Sequence, residues 1–454
     1  MYKFNKPFIY FICIVSAMGG LLFGYDWVVI GGAKIFYEQF FGIADNNLLI
    51  GLATSIALAG CMVGALTVGA LADKYGRKPL LILAAFIFVI SSIGTGGFNK
   101  FGWFLVARFI GGIAIGTASG LSPMYIAEVA PTSIRGKLVT LNQLTIVVGI
   151  LAAQIVNWRI AGTHALDWNT SLGWRWMFWA TAFPAAAFLI LSFFIPESPR
   201  WQAMVGRTDE AQGTLIKIGG DAYASDELAE FAASKAQAEK EEKGGLKLLF
   251  SKPFHKVLLL GCIIAFFQQW CGTNVIFNYA QEIFQSAGYD VDNTFINIVI
   301  TGIANLIFTF VAIFTVEKLG RRVLMLMGAA GLAGIYLILG CCYFFHAEGI
   351  FMVILCVLAI ACYAMTLGPI TWVLISEIFP NHVRAVAVAT ATFALWIGSF
   401  TLTLSFPLLN AGLGTAGTFW IYSAICVAAL IYFVKALPET KGKSLEELEK
   451  ELVK

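Results

Sequence analysis

Asp26 and Arg108 stand where ionisable side chains are expensive. Each lies inside a long apolar run, and an unpaired charge at the centre of a membrane helix costs at least about 2.5 to 3.5 kcal/mol. Pairing the two relieves that cost. A buried acid is pulled two ways, because desolvation favours its neutral form and a nearby guanidinium favours its carboxylate. Moving the arginine changes which form wins, and a proton-coupled device needs that property. The plain alternative is a static ion pair that fixes two helices together.

A second group is uncharged. Gln143, Gln268, Gln269, Asn274 and Asn305 fall in apolar runs, as do the aromatic residues Phe23, Tyr279, Trp372 and Trp396. A carboxamide turned toward lipid stays unsatisfied, so these groups must face protein or a water-filled cavity. One such amide alone is more often glue between helices. Several together, with aromatic rings near them, suit a neutral ligand that offers hydroxyls to the amides and C–H faces to the rings.

These residues are carried by an unusual chain. Of 454 residues 59% are hydrophobic and 13% charged, about half the charge of a soluble protein. Close to half of the charged residues lie in 196–254 and after Leu437. The remainder divides into apolar runs near the roughly 20 residues that cross hydrocarbon as a helix. Twelve spans are expected, at about 8–33, 47–72, 79–98, 101–127, 138–161, 174–195, 255–285, 293–316, 322–345, 348–376, 385–409 and 416–437. The pattern excludes a soluble enzyme and a disordered scaffold. The net charge of +3 offers no basic field for nucleic acid. Continuous Gly- and Ala-rich runs also exclude a β-barrel, whose strands alternate. Nine cysteines without CxxC spacing and four scattered histidines propose no metal site.

Loop charge sets the orientation. Lys74, Arg77, Lys78, Arg135, Lys137, Lys318, Arg321, Arg322 and Arg384 follow spans 2, 4, 8 and 10, against Lys34, Lys100, Arg159 and Arg175 in the opposite loops. The first set and both termini therefore face the cytoplasm. Asp26 precedes Lys34 by eight residues and Arg108 follows Lys100 by eight, so both are expected about 12 Å from the outer side, within reach of each other.

The two halves repeat. Asp73-Lys-Tyr-Gly-Arg-Lys78 returns as Glu317-Lys-Leu-Gly-Arg-Arg322, Glu128-Val-Ala-Pro131 with Arg135 as Glu377-Ile-Phe-Pro380 with Arg384, and Pro196-Glu-Ser-Pro-Arg200 as Pro438-Glu-Thr-Lys441, at offsets of 244, 249 and 242. The expected fold is an all-α membrane protein of two pseudo-symmetric six-helix bundles, residues 1–195 and 255–437. A helical cytoplasmic linker, 196–254, joins them and a cytoplasmic tail, 438–454, follows. Such duplicated bundles rock about a midplane site, which points to transport rather than catalysis.

From Gly24-Tyr-Asp26 to Pro438-Glu-Thr440 the motif set resembles the sugar porter family of the major facilitator superfamily, with most likeness to bacterial D-xylose:proton symporters and the glucose facilitators. The resemblance implies that Asp26, with Arg108, couples the proton, and that Gln143, Gln268, Gln269, Asn274, Asn305 and Trp372 contact sugar; Phe23, Tyr279 and Trp396 are expected to stack on or close the pocket. Ile150, Leu395, Ser399 and Asn278 depart from the xylose-symporter pattern, which bears on the choice among pentoses and hexoses. Asp73 with Arg77, Glu317 with Arg321, Glu128 with Arg135 and Glu377 with Arg384 are expected to act as cytoplasmic gating ion pairs between the bundles when the site faces outward, and to break in the inward-facing state. Basic residues at those places also hold topology.

The reading is a proton-coupled monosaccharide symporter, monomeric, in the bacterial inner membrane, with no cofactor. Its alternatives are a proton-independent uniporter and a non-transporting sugar sensor.

Overall fold

The computed structural model describes residues 2–240, 252–347, 349–380, 383–441 and 448; within them, the side chains of 234–240, 252–253, 291–292, 313, 317 and 385 stand outside the described set. Parts of the expected linker and tail, and the Glu317 side chain, therefore lie outside the described residues.

Eleven described helices are long and apolar enough to cross a membrane. They make twelve crossings, because Arg384–Ala436 is interrupted at Gly414, with φ 68° and ψ 172°. Spans 1 to 5 are Lys6–Phe41, Asn47–Tyr75, Arg77–Gly97, Phe101–Val129 and Arg135–Thr163. Span 6 combines Trp174–Ala180 with Ala182–Ser192, and the linker carries Pro199–Met204 and Thr208–Lys240. Span 7 is built from Lys252–Trp270, Thr273–Asn278 and Ala280–Ser286. Spans 8 and 9 are Val291–Leu319 and Arg321–Phe344, and span 10 joins Ile350–Met365 to Leu367–Glu377.

Glycine allows the spans to close on one another. A Cβ on Gly112 or Gly116 of span 4 would strike the carbonyls of Ala57 or Cys61 on span 2, so only hydrogen fits where these backbones touch. Span 1 packs on span 5 in the same way, Gly24 against the Ile146 carbonyl and Gly149 against that of Leu21.

The bundles meet along the outer halves of their spans. Gly51 abuts the Leu404 carbonyl, Gly31 the Phe277 carbonyl, and Phe36 stacks on Phe295 with centroids 6.4 Å apart. Among the described residues, the cytoplasmic ion pairs that join spans stay inside one bundle. The arrangement is thus closed on the outer side.

One sequence-based limit needs correction. Span 1 continues two turns beyond residue 33, so Lys34 is not a loop residue but a buried one, 2% exposed. Asp26 consequently sits near the middle of its helix rather than a short step from its outer end. The charge of Lys34 is tolerated within the helix because carboxylates surround it.

Candidate functional site

Spans 1 and 4 bring the expected acid and base together. Nη1 of Arg108 donates to both Asp26 oxygens at 2.9 Å, and the guanidinium lies 5.5 Å from the centroid of the Phe178 ring. Both residues are buried, and among the described residues Nε of Arg108 has no hydrogen-bond partner. Beside the arginine is a void of about 10 Å³ lined by Phe23, Trp27, Thr54 and Cys61 among others, the scale of a single water position. Phe23 borders that void and also tilts against Trp396 of the other bundle, with centroids 5.8 Å apart. The ion pair is therefore one side chain removed from the bundle interface.

The amides of span 7 join into one chain. Gln268 Nε2 donates to the Tyr363 hydroxyl at 2.5 Å, Gln269 Nε2 to Gln268 Oε1 at 2.6 Å, and Asn274 Nδ2 to Gln269 Oε1. On a straight helix Gln269 and Asn274 would point about 140° apart. Gly272 removes the conflict: its φ of 86° places it in the left-handed region, which breaks the helix between them. Span 10 breaks at Thr366, φ −125° and ψ −92°, three residues before Pro369, whose missing N–H cannot continue the ladder. Discontinuous helices of this kind line the midplane sites of transporters.

Among the described residues, Oδ1 of Asn274, Oδ1 of Asn278 and Nε1 of Trp396 are buried without a partner. Each such group costs about 1 to 3 kcal/mol while it stays unsatisfied. Tyr279 is packed tightly, its hydroxyl on the Thr403 carbonyl at 2.6 Å and its ring 4.4 Å from that of Phe406. Gln143 is half-buried on span 5, Asn305 is buried on span 8, and Trp372 on the cytoplasmic half of span 10 is 40% exposed. Among the described residues none of these three hydrogen-bonds the amide chain. Ile150, Leu395 and Ser399 are buried.

The cytoplasmic motifs pair differently from the spacing. Arg77 grips Glu128 with a two-pronged contact, Nε to Oε2 and Nη2 to Oε1, both 2.9 Å, and reaches Asp73 at 3.5 Å. Arg321 meets Glu377 at 3.1 Å. Arg135 donates instead to the Ala130 carbonyl and Thr132, and Arg384 to the Phe379 carbonyl. The expected Glu128–Arg135 and Glu377–Arg384 partnerships are replaced because tertiary packing sets each acid against the arginine of the neighbouring motif. Arg77 with Glu128 and Arg321 with Glu377 lie within a bundle, and pairs between the bundles are expected only of the outward-facing state.

Sequence reasoning missed Tyr363, which no motif marks, and the two acids of the third repeated motif. Glu197 accepts from the Arg77 and Lys78 backbone N–H groups at the start of span 3, and Glu439 from those of Arg321 and Arg322 at the start of span 9. The preceding Gly76 and Gly320 have φ of 93° and 87°, and a Cβ on either would collide with the capping carboxylate. Burial alone would raise the Glu439 carboxyl, but the N–H groups of Lys441, Arg321, Arg322 and Thr440 hold it below its ordinary value. The repeated Pro-Glu of the motif was the signal that could have revealed both caps.

Comparison with known proteins adds identity to this geometry. A profile of the sugar (and other) transporter family matches residues 12–452. The D-xylose-proton symporter of Escherichia coli (strain K12) is 38% identical, with 98% of this chain and 96% of that protein covered. The arabinose-proton symporter of Bacillus subtilis (strain 168) is 37% identical, covering 99% and 96%. The inward open structure of the xylose transporter XylE from E. coli superposes with a TM-score of 0.88 at 36% identity, over 98% of this chain and 100% of that one. With its outer mouth closed, its paired helical bundles and its broken spans 7 and 10, the chain belongs to the sugar (and other) transporter family.

Proposed function

We propose that this protein carries a monosaccharide across the membrane together with a proton, by alternating access. The observation that carries the reading is the buried Asp26–Arg108 pair, one aromatic contact away from the interface where the bundles meet. Protonation of Asp26 releases Arg108, and the freed guanidinium changes the relative stability of the two bundle orientations. The span 7 amides with Tyr363, and the unpartnered oxygens of Asn274 and Asn278, receive the sugar hydroxyls. Gln143, Asn305 and Trp372 complete the pocket from spans 5, 8 and 10, and Phe23, Tyr279 and Trp396 close it. The xylose and arabinose symporters among the relatives support a pentose as the cargo, and the glucose transporters among them a hexose.

The working units of this reading are the bundles 1–195 and 255–437, the linker 196–254 and the tail 438–454, in a monomer of the bacterial inner membrane with cytoplasmic termini. Asp73, Arg77, Glu128, Arg135, Glu317, Arg321, Glu377 and Arg384 serve the cytoplasmic gate in the opposite, outward-facing state. Purified protein in proteoliposomes tests the function: labelled pentose or hexose should accumulate above its outer concentration only under an inward proton gradient. Uptake that equilibrates regardless of the gradient would make the protein a uniporter.

A further inference from the structure

The most heavily buried cation at the outer mouth has no part in the mechanism above. Lys34 of span 1 is 2% exposed, and its ammonium contacts two carboxylates: Glu282 of span 7 across the bundle interface, and Glu38 one turn along its own helix at 3.5 Å. It also lies 4.3 Å from the centroid of the Tyr279 ring, near enough for a cation–π attraction. Beside it Gln281 Nε2 donates to the Gly32 carbonyl at 2.9 Å, a second polar link between the same two spans. Nothing about topology requires this arrangement, since a topogenic lysine serves equally well in water.

We propose that Lys34 and Glu282 form an external latch that holds the outer mouth shut and so sets the balance between inward- and outward-facing states. The proposal rests on the alternating-access reading and adds a device on the face opposite the cytoplasmic motifs. Its physics follows from where the charges go. With the mouth closed, the Lys34 side chain is 3% exposed and clamped between span 7 and its own helix, where losing one partner strands a charge, while Glu282 is 32% exposed at the rim. When the bundles part, Glu282 and the Tyr279 ring leave with span 7. Glu38 stays beside the ammonium and water enters to solvate both, so opening never abandons a bare cation. A pair that is strong when dry and weak when wet is a reversible latch, whereas a wholly buried one would lock the protein.

The test reads accessibility without transport. Leu404→Cys places a half-buried thiol on span 11 at the residue whose backbone abuts Gly51 in the closed mouth, and a membrane-impermeant maleimide added outside reports its exposure against the parent protein as background. In the Leu404→Cys protein, with no sugar and no pH gradient, Lys34→Met and Glu282→Gln should each speed labelling about tenfold. The double variant should be no faster than either single one, because both remove the same interaction. Lys34→Arg should keep labelling near the parental rate. Unchanged labelling in Lys34→Met and Glu282→Gln, or effects that multiply in the double variant, would overturn the latch. Should Lys34→Met fail to insert, Glu282→Gln and Lys34→Arg decide by the same criterion. Because no sugar is present, failure here leaves the proton–sugar reading standing, and failed sugar uptake leaves the latch standing.

Discussion

A single nitrogen of Arg108, Nη1, serves both oxygens of Asp26, at 2.9 Å each, while Nε has no partner among the described residues. The contrast with Arg77 and Glu128 is instructive. There two nitrogens meet two oxygens in the fork geometry that favours a fixed contact. Arg108 keeps donors in reserve beside a small void, which fits a side chain that changes partners during a cycle.

Asp26→Asn should abolish gradient-driven accumulation while leaving sugar exchange at equal concentrations running at a comparable rate, since the neutral amide imitates the protonated acid in size. Counterflow and pH-driven uptake measured on the same proteoliposomes separate the two activities. A variant that still concentrates sugar would leave Asp26 as a structural partner of Arg108 and nothing more.

Tyr363 accepts from Gln268 and so anchors the amide chain of span 7. Removing its hydroxyl in Tyr363→Phe leaves a buried amide donor unpaired, a cost of about 1 to 3 kcal/mol. If the chain contacts sugar, the KM for uptake should rise about tenfold or more with a smaller change in kcat. Initial-rate uptake across sugar concentrations checks it, and an unaltered KM would place Tyr363 outside the site.

Glu439 caps span 9 through backbone N–H groups, and loss of such a cap typically costs about 1 kcal/mol. Its carboxyl is held below the ordinary value, so its stabilisation is fully present above the unfolded value, about 4.3, and is lost as pH falls through the folded one. Glu439→Gln should therefore melt earlier than the parent at pH 7 in detergent, and the gap should close as the medium is acidified into that window. A gap that persists at acid pH would assign the effect to something other than the carboxylate.

Much of this protein was legible before folding was considered. Apolar run lengths gave the number of crossings, three motif pairs gave the duplication, and the expense of charge in lipid singled out Asp26 and Arg108 as partners. The resemblance carried by the motifs led to the family that the comparisons then established. These features are local or compositional, and the bilayer makes them unusually strict because it tolerates so few exceptions.

Partner choice was not legible. Spacing on a helix tells which side chains share a face, but not which face of another helix arrives opposite it. Arg77 therefore meets Glu128 rather than leaving that acid to Arg135, Glu197 travels from the end of span 6 to cap span 3, and Lys34 finds Glu282 in the other bundle. Gln269 and Asn274 share a hydrogen bond only because Gly272 adopts a left-handed conformation. The sequence determined the spans, the duplication and the buried charge. The tertiary structure decided who pairs with whom, since contacts between remote helices depend on how their surfaces pack, which no periodicity encodes.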